Sequence, residues 1–373
     1  MAARPKLKIT SPAYEVGEAV FVQRGASMLE IKDPDGDVRA LFALLDGTRT
    51  VADIERAFLT RRPGSSFNVA DAIALLDGRG VLVDGSAADA SDLDDYERER
   101  WKRNLGFFET YASMSRSQYE MQERLRDCKV ALLGVGGVGT HVGYDLMGLG
   151  VGDLRLVDFD KVELSNLNRQ ILYRESDIGQ KKLDLAVGRL RDYAPRAKVT
   201  GMELKLSSAD DVAAAVADRD FVIGFADRPK EYVVQWINEG CVRSRVPFIG
   251  GGVQTQRSVM WLVVPGVTGC VECWGRCNAD DDFNKQLREK IVALHAEDAG
   301  VGPDMAAFGA MVSVLTAMVI TEFVRYAAAI SKPVALGRMI EVHFDDLVAR
   351  EAESWERRPD CPICKDVEPI GMA

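Results

Sequence analysis

The sequence predicts an α/β protein: a doubly wound, largely parallel sheet with helices on both faces, preceded by a small α+β domain. Three observations predict it. From residue 129 to about 350, strand-like and helix-like runs alternate, as in successive βαβ units. Early in that stretch a strand (129–133) runs into Gly134-Val-Gly136-Gly137-Val-Gly139, a helix comes next, and a second strand (154–157) ends at Asp158. Ahead of it, residues 1–85 carry short β-like runs and short amphipathic helices separated by turn residues.

Length and composition agree. The 373 residues suit two or three domains, and 47% hydrophobic with 28% charged residues is ordinary for a globular protein. A net charge of −10 argues against a nucleic-acid partner. No basic, apolar, then small-residue pattern marks the N-terminus, so the expected location is the cytoplasm. The longest apolar run, 305–321, falls short of the roughly 20 residues of a membrane span and is followed by Glu322. It reads as a buried core helix, with no membrane partner.

In chain order, β-like runs come first at Leu7–Ile9, Ala19–Gln23 and Met28–Ile31, and Pro34-Asp35-Gly36 makes a turn. Val38, Leu41, Phe42 and Leu45 recur at helical spacing and stop at Gly47. Thr50 can cap a helix over Val51–Leu59, a third helix covers Val69–Asp77, and Val81–Val83 closes as a strand. Three strands, three helices and a final strand make a winged-helix-like pattern. No segment is basic enough for a DNA-recognition helix, which leaves an accessory domain or a strand edge that captures an extended peptide. The runs ALLDGTRTVADI and ALLDGRGVLV resemble the small PqqD-like peptide-recognition domain of enzymes that modify ribosomally made peptides. Residues 86–127 read as an acidic, solvated linker (SAADASDLDDYERER) leading into helices, with Trp101, Leu105, Phe108 and Tyr111 as an apolar stripe.

The main domain, 128–373, has expected strands at 129–133, 154–158, 197–202, 220–224, 246–249, 257–264 and 339–344. Expected helices lie at 138–149, 180–193, 208–217, 230–244 and 304–329. The later strands 246–249 and 257–264 have no long helix between them, so the far part of the sheet is expected to be antiparallel.

The glycines let backbone approach phosphates at a helix N-terminus, and Asp158, 19 residues past Gly139, is placed for ribose hydroxyls. The motif alone also fits a dinucleotide. A dehydrogenase would want a downstream acid/base, but His141, His295 and His343 all read as structural. The residues after Asp158 favour a triphosphate: Asp160, Asn166, Asn168, Arg169, Gln170 and Lys182 gather within 25 residues. Arg169 can fork onto phosphate oxygens and Lys182 can act as a mobile point charge. Asp227, past a strand in VIGFADRP, stands where a carboxylate can hold Mg2+ beside phosphates.

Seven cysteines, an odd number with two C-x-x-C pairs, point to a reduced, metal-binding protein rather than a disulfide scaffold. Cys270/Cys273 and Cys361/Cys364 can supply four thiolates to a closed Zn2+ site. With 87 residues between the pairs, the metal would staple the C-terminal tail to the middle of the domain. Unrelated reduced pairs or redox dithiols are the other reading, and Cys277 is a competing ligand. Cys128 and Cys241 read as structural.

The run LVDFDKVELSNLNRQILYRESDIGQKK resembles the adenylating domain of ThiF, MoeB and the ubiquitin-activating enzymes, a likeness that spans about residues 100–366. It implies a Rossmann-like adenylation domain with a zinc-bound tail. Gly134, Gly136, Gly137, Gly139, Asp160, Asn166 and Gln170 would line the ATP site. Asp158 would bind ribose, Arg169 and Lys182 the phosphates, and Asp227 Mg2+. An arginine ahead of the domain would reach into the partner's site in a homodimer; Arg103 is the best match, with Arg100 and Arg116 as alternatives. The implied reaction is attack of a carboxylate on the α-phosphate of ATP, giving an acyl adenylate and pyrophosphate. The crossover loop NADDDFNKQLREKIVALHAEDAGVGPD holds no cysteine, so no enzyme thioester is expected, and the loop is read as a substrate cover.

Relatives with an added N-terminal domain, MccB of microcin and PaaA of pantocin biosynthesis, act on ribosomal peptides. RNLGFFETYASMSRSQYEMQERL and SNLNRQILY are most similar to that subgroup. The expectation is therefore adenylation of a C-terminal or side-chain carboxylate in a precursor peptide. Two alternatives are activation of a ubiquitin-like sulfur carrier for cofactor biosynthesis, and a non-catalytic peptide-presenting scaffold. The intact glycine, arginine, lysine and aspartate set argues against the scaffold.

Overall fold

The computed structural model describes residues 2–229, 232–279, 286, 290 and 307–371, with no side-chain description at 278 and 279. The chain forms two compact units, Met1–Arg124 and Leu125–Ala373.

The N-terminal unit contains β1 (Pro5–Leu7), β2 (Ala13–Val16), β3 (Ala19–Arg24), β4 (Ser27–Lys32), α1 (Asp37–Phe42), α2 (Val51–Arg61), α3 (Val69–Gly78) and β5 (Leu82–Asp84). β2, β3 and β4 form an antiparallel meander, and β1 pairs antiparallel with β5. Val20 and Val22 of β3 point inward at alternate positions and join Leu41, Ile54, Phe58 and Ile73 in one core. Thr50 caps α2 in a reciprocal box with Asp53. Two features differ from the sequence reading. β2 is an additional strand, mostly exposed, so no alternation announces it. The stretch after β5 is not a solvated linker: α4 (Ala87–Ala90) and α5 (Asp95–Arg100) form there, and α6 (Lys102–Glu109) comes after them. Asp94 and Glu97 make a capping box that starts α5, Leu93 is only 2% exposed, and Arg98 donates to the carbonyls of Ala88 and Leu93. Acidic composition hid two helices, one of them capped.

α7 (Gln118–Asp127) leads into the C-terminal unit. Next come β6 (Lys129–Leu133), α8 (Gly137–Leu149), β7 (Asp153–Asp158), α9 (Lys182–Tyr193), β8 (Lys198–Glu203), α10 (Ala209–Val216) and β9 (Phe221–Gly224). α11 (Val233–Arg243), β10 (Phe248–Val253), β11 (Arg257–Val263), α12 (Val271–Ala279), α13 (Gly309–Ala327), β12 (Arg338–His343) and β13 (Ala349–Ser354) complete it. The eight strands lie in the order β13-β12-β11-β10-β9-β6-β7-β8. From β10 to β8 all neighbours are parallel; β10 through β13 are antiparallel. The chain winds outward from β6 in one direction and from β9 in the other, so the β6/β9 boundary is the topological switch point where such sheets bind ligands. β13 is absent from the sequence reading because AREAES is polar; it is an edge strand carrying charges.

Both faces of the central strands are covered, as their near-continuous apolar runs require. Ala131, Leu133 and Val222 pack with Val212, Ile237 and Cys241 under α10 and α11. α8, α9 and α13 pack together, and Phe221 meets Phe323 of α13 edge-on at 5.1 Å. α13 is, among the described residues, the one helix long and apolar enough to cross a membrane, but it lies against α8, β10 and β11. This matches its reading as a core helix.

Candidate active site and metal centre

The turn after β6 is shaped by close contacts. Gly134 has φ +94°, and a Cβ there would fall 2.8 Å from the Ala226 nitrogen. A Cβ on Gly139 would fall 2.1 Å from the Gly134 carbonyl oxygen. Only glycine fits either place. Gly136 then stands at the N-cap of α8, whose first turn carries no acidic side chain, leaving its N–H groups and positive dipole end for an anion.

Asp158, at the end of β7, holds this turn. One carboxylate oxygen accepts from the Val135 N–H at 2.7 Å and the other from the Asp160 N–H at 2.8 Å. Burial pushes its carboxyl above the ordinary aspartate range, against these two hydrogen bonds and the nearby Lys182 cation. Asp160 pairs with Lys182 at 3.0 Å, and the Lys182 N–H donates to the Asp160 carbonyl. Lys182 is largely buried at the start of α9, so its ammonium is fixed rather than solvated.

The segment between β7 and α9 folds back over α8. Asn166 and Gln170 are buried within it; the Asn166 side chain accepts from the Glu163 N–H, so this asparagine holds its own turn. The stem of Arg169 lies 3.5 Å from a Cβ position on Gly137, which puts the guanidinium chain at the N-terminus of α8. Its Nη1 donates to the Ser165 carbonyl and to Asn168 Oδ1. Gln170 lies beside Gly136, and its amide oxygen has no hydrogen-bond partner among the described residues. A buried polar atom in that state beside a phosphate-type turn is a place for a ligand donor.

β9 carries Asp227. The Phe225 N–H bonds the Leu133 carbonyl and Ala226 abuts Gly134, so the exposed Asp227 comes directly after a contact with the glycine turn. The structure therefore gathers the glycines, Asp158, Asp160, Asn166, Arg169, Gln170, Lys182 and Asp227 around one end of the sheet. Arg103 is exposed on α6 of the N-terminal unit. His141 Nε2 lies 3.2 Å from the Arg169 carbonyl and His343 pairs with Glu341, both in structural settings as read; His295 and the expected substrate cover lie almost wholly outside the described residues.

Sequence reasoning missed the braces. Tyr173 donates to the Val135 carbonyl at 2.8 Å. Arg189 of α9 forks onto Asp177 at 2.7 and 3.0 Å and also donates to the Leu172 carbonyl. The Arg189 hydrogen bond holds the Asp177 carboxyl below its usual range. Charge-pairing over 12 residues was visible, but not its geometry.

At the other end of the domain, Cys270, Cys273, Cys361 and Cys364 are all buried, with their sulfurs within 4.8 Å of one another. Neighbouring separations are 3.9, 3.7 and 3.4 Å. Tetrahedral Zn–S bonds of about 2.3 Å put sulfurs about 3.8 Å apart, so the donor set fits zinc. The Arg358 N–H points at Cys273 Sγ, a donor suited to a thiolate. Hydrogen bonding to the neighbouring thiols and burial push the Cys270 thiol up. Cys277 is exposed. Cys241 is fully buried, and burial pushes Cys128 up to about 12, so neither is a nucleophile.

A family model described as the ThiF family matches residues 109–363. The chain belongs to the ThiF family. Molybdopterin-synthase adenylyltransferase of Escherichia coli is 29% identical over 279 residues, 74% of this chain and 99% of that protein. Sulfur carrier protein adenylyltransferase of Thermus thermophilus is 30% identical over 274 residues, 72% of this chain and 93% of that one. Among solved structures, E. coli MccB with AMPCPP and selenomethionine MccA matches with a TM-score of 0.76 at 22% identity, covering 96% of this chain and 99% of MccB. PaaA matches at 0.71 and 24%, covering 94% and 100%. These two share the fold. As a ThiF-family member the protein is an ATP-dependent adenylyltransferase.

Proposed function

We propose that this adenylyltransferase activates a carboxylate in a ribosomally made precursor peptide, the C-terminus or an Asp or Glu side chain. The observation that carries the reading is one of coverage. The sulfur-carrier relatives span 72–74% of this chain, whereas MccB, solved with MccA, spans 96% in fold, N-terminal unit included. An N-terminal unit shared with a protein solved with a peptide supports peptide capture there.

In the proposed reaction a carboxylate oxygen attacks the α-phosphorus of ATP. The new P–O bond gives an acyl adenylate, and the bond to the bridging oxygen breaks to release pyrophosphate. Asp158 accepts from the ribose. Arg169 and Lys182 neutralise phosphate charge, the Gly136–Gly139 backbone orients the chain of phosphates, and the Gln170 amide oxygen accepts from a donor on the nucleotide. Asp227 would hold Mg2+, which supplies further charge neutralisation when bound. Arg103 of a second protomer completes the set. The four cysteines hold a structural zinc ion. An ionised carboxylate is already a nucleophile at pH 7, so no side-chain base is assigned.

The identity to sulfur carrier adenylyltransferases favours a second reading, activation of a carrier's C-terminal glycine. Product analysis tests the common chemistry. ATP and substrate should yield AMP and pyrophosphate, and esterifying the reacting carboxyl should abolish both; release of ADP instead would refute adenylation.

A further inference from the structure

β10 outruns its neighbour. It pairs with β9 only over Phe248–Gly250, the last pair being Gly250 with Gly224, yet it stays paired with β11 as far as Val253. β9 leaves because Phe225 bonds β6 and Ala226 packs against Gly134. Backbone groups alternate along a strand. Val222 donates to Pro247, and Gln254 donates to Arg257 across the β10–β11 hairpin. Odd-numbered residues of β10 therefore face the β9 side and even-numbered ones face β11. The N–H and C=O of Val253 point to where β9 has ended; the Gly250–Gly224 pair still takes the Gly251 N–H, so among the described residues the groups left unpaired by strands on that side are the Gly251 C=O and the Val253 N–H and C=O.

Two more observations mark this edge. It is built of glycine, and a Cβ on Gly252 would meet nothing within 4 Å. Glycine within a strand often marks close approach of another backbone. Beside it, the indole of Trp261 lies over Gly250, where a Cβ would sit 2.8 Å from Nε1. That N–H is buried without a partner.

We propose that Gly251–Val253 receives, as an added strand, the extended backbone of the segment whose carboxylate is adenylated. The inference rests on the preceding reading that the acceptor is a polypeptide carboxylate. The edge opens into the cleft between β10 and the bend that carries Asp227, beside the glycine turn. A carboxylate at the end of an extended chain must come to an α-phosphate held there. Main-chain pairing supplies affinity without dictating side chains, which suits an edge that presents none of its own at two of three positions.

The test compares two non-hydrolysable acyl-adenylate mimics, alanyl- and tetraalanyl-sulfamoyl-adenosine, on the full chain by calorimetry. Two or more backbone hydrogen bonds should make the tetraalanyl compound about tenfold tighter. Val253→Pro removes an N–H on the open side only and should bring that ratio to about one, while Val253→Ala keeps the N–H and the ratio. N-methylation of each alanine in turn probes the same bonds on the unmodified protein, should the proline variant fold poorly; at least one position should abolish the gain. A wild-type ratio near one, or a ratio indifferent to N-methylation, overturns the proposal. Should a Gly-Gly-tailed carrier prove to be the substrate, the precursor-peptide reading fails while the ratio still decides the edge, because a carrier tail is also extended backbone.

Discussion

The hydroxyl of Tyr173 donates a 2.8 Å hydrogen bond to the carbonyl of Val135, whose N–H is bound by Asp158. One peptide unit on each side of Val135 is thus fixed within the glycine turn, by residues 23 and 38 positions away. The hydroxyl also lies 3.4 Å from the Lys182 carbonyl, so it joins the turn to the start of α9. Tyr173→Phe leaves a buried carbonyl unpaired, at a cost of about 1–3 kcal/mol. The KM for ATP should rise about three- to tenfold, with a smaller change in kcat. A lowered Tm with unchanged KM would show that the hydroxyl serves packing alone.

Asp227 is exposed, so truncating it should cost little stability, within about 0.5 kcal/mol. If it holds Mg2+, Asp227→Ala should lower adenylation at least about a hundredfold. Steady-state turnover with a Mg2+ titration checks this. Full activity at ordinary Mg2+ would remove the assignment.

The cysteine cluster should bind about one zinc ion per chain, measurable by atomic absorption. Cys361→Ser should release it and lower Tm by about 10 °C, several kcal/mol for a domain of this size. Trp274 stands 6.3 Å from Trp261 and 5.8 Å from Trp355, so the loss should also shift indole emission. Metal loss with unchanged Tm would contradict the staple.

Asp158 supplies a pH signature. Burial raises its pKa in the folded protein above the ordinary 3.8. Between the two values the native state holds a proton that the unfolded chain has released, so this group makes stability fall as pH rises through that window. If Asp158 holds the ribose as proposed, ATP binding has the opposite sign, since the ionised form is the one that accepts hydroxyls. Affinity should weaken as pH drops into the window, and Asp158→Asn should flatten both slopes. Parallel pH titrations of Tm and ATP affinity would show it.

Much of the geometry of the proposed nucleotide site was legible because local chemistry wrote it. Gly134 and Gly139 are required by backbone approach, and Asp158 by its place at a strand end. The four cysteines were legible by type, although only the fold brings pairs 87 residues apart together. The illegible part is tertiary. Tyr173 looks like a core aromatic until its hydroxyl is placed. β2 and β13 are polar edge strands defined by their neighbours. The 86–100 stretch reads as linker until its caps and the burial of Leu93 are seen. The open end of β10 is a property of where β9 stops, which no pattern within Phe248–Val253 encodes.

ATP–pyrophosphate exchange by the full chain bears most directly on whether ATP activates a peptide carboxylate in this site. Synthetic peptides with a free C-terminal or side-chain carboxylate, including the product of any short reading frame found beside the gene, are to be set against a Gly-Gly-tailed carrier protein. Exchange should depend on a peptide's free carboxylate and should be lost in Asp227→Ala. Exchange driven by the carrier alone would refute the peptide reading.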